Sequence, residues 1–75
     1  MIHKLYDVVR VVAINNQQLL ESNVFDLRPP RIGDVATILD VYDDPAGYEL
    51  ECSDETGVTL WLIGCTEKDV ELESL

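Results

Sequence analysis

The side chains that could act as nucleophiles or general bases are few in this sequence. His3 is the only histidine, and it lies so near the N-terminus that we expect an ordinary surface side chain in a frayed segment. No Ser–His or Cys–His pair is therefore expected, and the four glycines are isolated in turns rather than gathered in a phosphate loop. These observations predict a protein that is not an enzyme and that needs no cofactor.

Carboxylates are abundant, but they do not follow a metal-binding pattern. Asp40, Asp43 and Asp44 lack the alternating ligand loop and the closing glutamate of a calcium site. Cys52 and Cys65 have no Cys or His neighbour at zinc-ribbon spacing, and two cysteines are few for a secreted domain held by disulfides. We therefore predict no metal site and two reduced, structural thiols.

Net charge is the most informative property of the composition. The 75 residues include 15 acidic and 5 basic side chains, which gives a net charge of −10. Residues 1–33 carry +1 (4 bases, 3 acids), whereas residues 34–75 carry −11 (1 base, 12 acids). Such a field repels phosphate backbones, so a nucleic-acid partner is not expected, and it attracts a basic protein. The same charge also keeps a protein soluble without any partner, and composition leaves both interpretations open.

Length and hydropathy indicate one small globular domain over residues 1–75. Apolar residues make up 47% of the chain and charged residues 27%. No apolar run approaches the roughly 20 residues that cross a bilayer, and the N-terminus lacks the layout of a signal peptide. We therefore expect a cytoplasmic protein without a membrane partner.

Five short segments have the composition or the alternation of β-strands. They are Tyr6–Ile14, Val35–Tyr42, Tyr48–Ser53, Val58–Ile63 and Val70–Leu72. A long loop, residues 15–31, follows the first strand, and within it Asn15-Asn16 reads as a turn or cap before one or two helical turns over 17–22. A short helical turn over 66–69 is expected before the last strand. The pattern predicts an all-β, five-stranded SH3-like barrel, with an OB-type barrel, which usually needs more residues, as the alternative.

The hairpin between the third and fourth strands defines the predicted binding surface. Asp54–Gly57 reads as a type I turn closed by a left-handed glycine, which sets Asp54 opposite Val58. The register then gives two sets of pairs, Cys52–Leu60 and Leu50–Leu62 on the core face and Glu51–Trp61 and Glu49–Ile63 on the outer face. A slip by one residue would set the glutamates opposite the two leucines, and we expect that slip to be costly.

The outer set combines an aromatic anchor with negative charge, which is typical of an interface for a basic partner. In the alternative interpretation the long loop folds over Trp61, and Arg28 or Arg31 pairs with Glu49 or Glu51. Both interpretations stay open at this point. Tyr42 and Tyr48 flank the predicted turn Asp43–Gly47 between the second and third strands, and they are expected at the edge of the core. The predicted partner-binding residues are Glu49, Glu51, Trp61, Ile63, Asp43 and Asp44.

Three stretches of the chain together resemble a pattern found in a known protein family. They are YDVV at Tyr6–Val9, GDVATILDVYDD at Gly33–Asp44 and YELECSDETG at Tyr48–Gly57. The pattern resembles a family of short bacterial proteins catalogued as domain of unknown function 4926, and the resemblance covers about two-thirds of the chain. It implies an SH3-like barrel in a bacterial or cyanobacterial cytoplasm, without an assigned activity, and an antitoxin or immunity role. The chain departs from the pattern in its long loop and at Trp61–Gly64.

The expected function is that of a non-enzymatic, acidic protein-binding module. The resemblance favours an immunity protein or antitoxin that inhibits a basic partner. The alternative is a small accessory subunit that docks onto a larger enzyme or redox complex through the same face. The two differ in what should co-purify with the chain, a small basic protein or a multi-subunit assembly.

Overall fold

A computed structural model describes residues 3–21 and 26–75, which form one antiparallel sheet of five strands. The strands are β1 (Val8–Ile14), β2 (Val35–Asp43), β3 (Ala46–Ser53), β4 (Thr59–Thr66) and β5 (Val70–Ser74). Their order in the sheet is β4-β3-β2-β1-β5, so the sheet is not closed by pairing between β4 and β5. All five predicted strands are present, and the all-β class is confirmed.

Alternation along the strands buries one face of the sheet. In β1, Val9 and Val11 are buried while Arg10 between them is exposed. In β3, Leu50 and Cys52 are buried, as the alternation of that segment predicts. The buried core consists of Val9, Val11, Ala36, Ile38, Tyr48, Leu50, Cys52, Trp61, Cys65 and Val70.

The two edge strands of the sheet are joined by a very short link. Only residues 67–69 separate β4 from β5. The four Cα–Cα steps from Thr66 to Val70 span at most roughly 14 Å, whereas a flat sheet of five strands is about 19 Å wide. The sheet therefore rolls until its two edges approach each other at this corner. The Asp69 amide donates to the Thr66 carbonyl at 3.1 Å, which makes the link a single hydrogen-bonded turn where a short helical turn was predicted.

The first part of the loop between β1 and β2 contains one turn of 3₁₀ helix, Gln17–Leu20. Asn16 caps it, because its side-chain oxygen accepts a hydrogen bond from the Gln18 amide at 3.0 Å. The predicted helical segment ended at Ser22, which lies outside the described residues. Among the residues that the structure describes, no helix is long and apolar enough to cross a bilayer.

The second part of this loop runs along the edge of β4 that no strand pairs with. The Leu27 amide donates to the Leu60 carbonyl at 2.9 Å, and the Leu62 amide donates to the carboxylate of Asp26 at 3.2 Å. Backbone groups that would otherwise face solvent at a sheet edge are thereby satisfied. Residues 26–28 of the long loop are therefore held beside β4 by hydrogen bonds.

The turn of the β3–β4 hairpin has the predicted conformation. Gly57 has a φ of +87°, in the left-handed region, and the Asp54 amide donates to the Val58 carbonyl at 2.9 Å. The Asp54 carboxylate also accepts hydrogen bonds from the Thr56 and Val58 amides at 2.8 and 3.0 Å. Turn and first pairing therefore agree with the prediction.

Beyond this turn the register differs from the predicted one. Ser53 pairs with Thr59, but the next residue of β3, Cys52, pairs with Trp61. Leu60 is therefore an extra residue, a β-bulge, on the β4 side. Because successive side chains of a strand point to opposite faces, the bulge reverses the face of every later β4 residue.

Candidate functional site

The bulge corrects the predicted contact patch. Trp61 is fully buried, and Ile63 is partly buried and packs against the core, so the prediction that both lie on the outer face was wrong. Leu62, predicted in the core, is 42% exposed in their place. Glu49 and Glu51 lie outside as predicted, where both are half-buried.

The slip is tolerated because it does not bury the glutamates. Glu51 pairs with Leu62, and both side chains face outward. The Glu51 carboxylate therefore stays hydrated. The core contains the indole of Trp61 in place of Leu62, and the larger side chain buries more apolar surface. The predicted cost assumed that the leucines would stay on the core face.

Asp34 supplies the polar partner that the buried indole needs. The Trp61 Nε1–H group donates to Asp34 Oδ2 at 2.8 Å. Two nitrogens of the Arg28 guanidinium donate to the same carboxylate, each at 2.9 Å, and the Arg31 amide donates at 2.9 Å. Residues 26–28 of the loop lie beside β4, and Arg28 pairs with Asp34 and not, as the alternative interpretation had expected, with Glu49 or Glu51.

The charge state of this cluster follows from its hydrogen bonds. Burial raises the pKa of Asp34, but the hydrogen bonds from Arg28, Trp61 and the Arg31 amide outweigh burial, and the pKa lies below its ordinary 3.8. The hydrogen bond to Asp34 raises the pKa of Arg28. Arg28 and Asp34 are therefore both charged at neutral pH. Their hydrogen bonds, together with that of Trp61, connect the loop to β4.

The solvent-facing side of β2, β3 and β4, here called the outer face, brings polar and aromatic side chains together. Cross-strand pairing arranges it in three rows. Its residues are Thr37, Glu51 and Leu62, then Asp40, Glu49 and Gly64, then Tyr42, Gly47 and Thr66. Asp43 and Asp44 are exposed at the turn from β2 to β3, next to the third row.

A hollow of about 380 Å³, here called the glycine depression, lies at the third row. Its lining consists of Tyr42, Asp44, Pro45, Gly47, Gly64, Cys65, Thr66 and Asp69. A smaller hollow of about 220 Å³ adjoins it and shares Pro45 and Thr66 with it. The depression is therefore bounded by the β2–β3 turn, by the end of the β3–β4 pair that lies far from the hairpin turn, and by the β4–β5 turn.

Two glycines make the floor of the depression low. A Cβ atom on Gly47 would collide with the backbone carbonyl oxygen of Cys65, so the strands approach each other too closely for any side chain there. A Cβ on Gly64 would lie 3.2 Å from Glu49 Oε2, which shows that the Glu49 carboxylate lies over this part of the floor. The hollow is thus shaped by backbone and rimmed by side chains.

Hydrogen bonds hold two of the neighbouring carboxylates in place. The Tyr42 hydroxyl donates to Glu49 Oε2 at 3.1 Å, and this bond raises the pKa of Tyr42. The Asp69 carboxylate accepts from the Thr66 amide at 2.9 Å and from the Asn16 side chain at 3.2 Å. The Thr66 amide bond is the main reason that the pKa of Asp69 is lowered, so this carboxylate is negative at neutral pH.

Sequence reasoning missed most of the depression. Tyr42 was expected at the edge of the core together with Tyr48, but Tyr42 is 42% exposed on the outer face whereas Tyr48 is 2% exposed in the core. The signal that could have found it is cross-strand pairing, because Tyr42 lies opposite Gly47. Asp69 reaches the site through the turn that follows β4, where its carboxylate accepts the hydrogen bond from the Thr66 amide.

His3 is not the surface side chain that its position near the N-terminus predicted. It is 7% exposed, its Nδ1 lies 3.0 Å from the Ser74 hydroxyl, and its ring meets the Tyr48 ring edge-on at 5.7 Å between centroids. The histidine therefore joins the first described residues to β5 and to the core. Within residues 3–21 and 26–75, no three His, Cys, Asp or Glu side chains are grouped as a metal site.

Both cysteines are free thiols in the core, as predicted. Burial raises the pKa of Cys65 to about 11, and the charge of Asp69 adds to the effect. Burial also raises the pKa of Cys52. Neither thiol is therefore ionised at neutral pH, which suits a packing role.

Comparison with known proteins identifies no relative. No family model, no curated protein and no solved structure matches this chain. The resemblance to domain of unknown function 4926 therefore stays a prediction.

Proposed function

We propose that this chain is a non-enzymatic, acidic binding module that docks a basic protein through its outer face. The observation that carries the proposal is the carboxylate rim of the glycine depression, where Asp44 and Asp69 line the hollow and Glu49 lies over its floor. A concave surface with one sign of charge focuses its field and speeds the arrival of an opposite charge. The net charge of −11 over residues 34–75 acts in the same direction.

The residues proposed to make the contact differ in part from those expected from sequence. Glu49, Glu51, Asp43 and Asp44 remain, because all four side chains reach solvent on the outer face or at the β2–β3 turn next to it. The buried Trp61 and Ile63 leave the set, since their side chains face the core. Tyr42 takes over as the aromatic anchor of the surface.

The same proposal includes an SH3-like barrel as the fold. Three observations support it: the strand order β4-β3-β2-β1-β5, the three-residue link between the edge strands, and a shift of register in β2 between Ile38 and Asp40 that lets one strand serve both halves of a rolled sheet. Two free, buried thiols fit a cytoplasmic setting, which is also part of the proposal.

An immunity or antitoxin role is the specific form of this proposal. Affinity capture with the full chain from its native cell, followed by mass spectrometry, tests it. A single small basic protein, bound at one copy each, supports the inhibitor. A multi-subunit assembly instead supports the accessory subunit, and the absence of any basic partner contradicts both.

Charge reversal tests the docking face itself. We expect Glu49→Lys/Glu51→Lys to slow association with the captured partner by about tenfold at low salt and to weaken its salt dependence. The matched control is Glu55→Lys/Glu71→Lys, which changes net charge equally at exposed positions away from the outer face. Equal slowing by both pairs, or an unchanged rate, would remove the outer face from the proposal.

A further inference from the structure

We infer that the glycine depression receives the side chain of one arginine of the basic partner. The inference rests on the proposed function, because it names the group by which that partner is held. Three features of the site point to an arginine: the shape of the hollow, the charges around it and the geometry of one tyrosine–glutamate pair.

The shape fits a long side chain that enters from above the sheet. A volume of about 380 Å³ lies within the range of roughly 300–1,000 Å³ typical of ligand pockets. Gly47 and Gly64 leave two neighbouring positions of the outer face without side chains, while Tyr42 and Pro45 stand at the side. A protruding side chain of a partner would lie in this low part of the outer face, above the backbone of Gly47 and Gly64.

The charges around the depression select a cation. Asp44 comes from the β2–β3 turn, Asp69 from the β4–β5 turn and Glu49 from β3, with Asp40 paired opposite Glu49 in β2. Lys68 is the only basic residue within 34–75, and it is exposed in the β4–β5 turn, where it lines the smaller hollow. In the described part of the chain Lys68 forms no ion pair that would neutralise the rim.

The tyrosine–glutamate pair favours arginine over lysine. The Tyr42 hydroxyl orients Glu49 through Oε2, and within the described residues Glu49 Oε1 accepts no hydrogen bond. A planar guanidinium can lie against the exposed Tyr42 ring and donate to the free carboxylate oxygen at the same time. An ammonium group can also approach the ring and the carboxylate, but it has no plane to stack on the ring and no fork of donors, so lysine should be held less tightly. The Asp69 carboxylate already accepts hydrogen bonds from Thr66 and Asn16. It therefore attracts the guanidinium by its negative charge and does not form a second pair of hydrogen bonds with it.

Titration of the full chain with short peptides tests this inference without the partner. The probe is acetyl-Gly-Arg-Gly-amide at low salt, followed by ¹H–¹⁵N spectra, with lysine and citrulline in place of arginine as comparators. We expect shifts centred on the amides of Gly47, Gly64 and Thr66, about fivefold weaker binding of the lysine peptide, and none of the citrulline peptide. Shifts of equal size at Glu55, or equal affinity for lysine or citrulline, overturn the inference.

Two variants and one control locate the binding. Glu49→Gln and Tyr42→Leu should each weaken binding of the arginine peptide, the former by about tenfold. Glu55→Gln removes the same charge about 20 Å along the hairpin and should leave binding unchanged. Unaltered amide positions in β1 and β5 establish that each variant is folded, and wild-type affinity of a folded Glu49→Gln overturns the inference. A basic partner captured without peptide binding refutes the arginine site alone, whereas peptide binding without any basic partner refutes the proposed function alone.

Discussion

Trp61 Nε1 lies 2.8 Å from Asp34 Oδ2, so the only indole of the protein is held by a carboxylate that directly precedes β2. The same carboxylate carries both hydrogen bonds of the Arg28 guanidinium. One side chain therefore connects the long loop, the start of β2 and the centre of β4. Because the Asp34 side chain is little exposed, water cannot readily replace the hydrogen bonds that Arg28 and Trp61 donate to its charged carboxylate.

We expect Asp34→Asn to lower the free energy of unfolding by about 2–4 kcal/mol. The amide cannot accept all of the bonds that Arg28, Trp61 and the Arg31 backbone donate to the carboxylate. Urea unfolding followed by Trp61 fluorescence measures the loss. As a control, Glu73→Gln breaks the exposed pair between Arg10 and Glu73 and should cost less than about 1 kcal/mol. Equal losses for the two variants would contradict the central role of Asp34.

The contribution of Asp34 should also depend on pH. Its pKa is lower in the folded protein than the ordinary 3.8, so the unfolded chain binds this proton more readily. The stabilisation is therefore complete above about pH 5 and is lost as the pH falls through the folded-state pKa. We expect the stability difference between wild type and Asp34→Asn to be constant from pH 7 to 5 and to shrink below about pH 4. A difference that stays constant to the lowest pH would show that Asp34 is not the titrating group.

The buried thiols should react slowly in the folded protein. The pKa of Cys65 is raised from 9.0 to about 11, which lowers the thiolate fraction near pH 8 by about 100-fold, and burial adds a steric barrier. In a Cys52→Ala variant, we expect reaction of Cys65 with a disulfide reagent at pH 8 to be at least about 100-fold slower than in denaturant. Comparable rates in both conditions would place this thiol at the surface.

The two glycines of the depression should differ in their tolerance of a methyl group. Gly47→Ala forces a backbone atom of Cys65 to move, and we expect a loss of about 2–3 kcal/mol. Gly64→Ala meets only the end of the Glu49 side chain at 3.2 Å, which can swing aside, so the loss should stay below about 1 kcal/mol. Chemical denaturation compares them directly, and a larger loss at Gly64 would contradict the close approach at Gly47.

The strands and the hairpin turn could be predicted because local chemistry determines them. Alternation identified the buried side of β3, and the Asp-rich turn with Gly57 predicted a left-handed residue that the structure has. Asn16 was expected as a turn or cap residue, and it caps the 3₁₀ helix. Each of these features depends on neighbours within a few positions along the chain.

The face of β4 could not be predicted, because a single extra residue decides it. The bulge at Leu60 follows from what the whole sheet buries, namely an indole whose N–H group meets Asp34, 27 positions earlier in the chain. His3 was misjudged for a similar reason, since its partner Ser74 lies at the other end of the sequence. Contacts between residues so far apart in the sequence are determined by the topology of the sheet, and no local sequence pattern predicts them.

The three-residue link between β4 and β5 makes the depression a property of the folded domain as a whole. Its wall includes Asp69 of that link, its floor lies between β3 and β4, and Tyr42 comes from β2. No isolated hairpin of this chain contains all three parts, so an unfolded or partly folded chain has no binding site at this position. Any molecule that binds the hollow of the folded protein therefore stabilises the entire domain, by an amount that grows with the logarithm of its concentration once that concentration exceeds the dissociation constant.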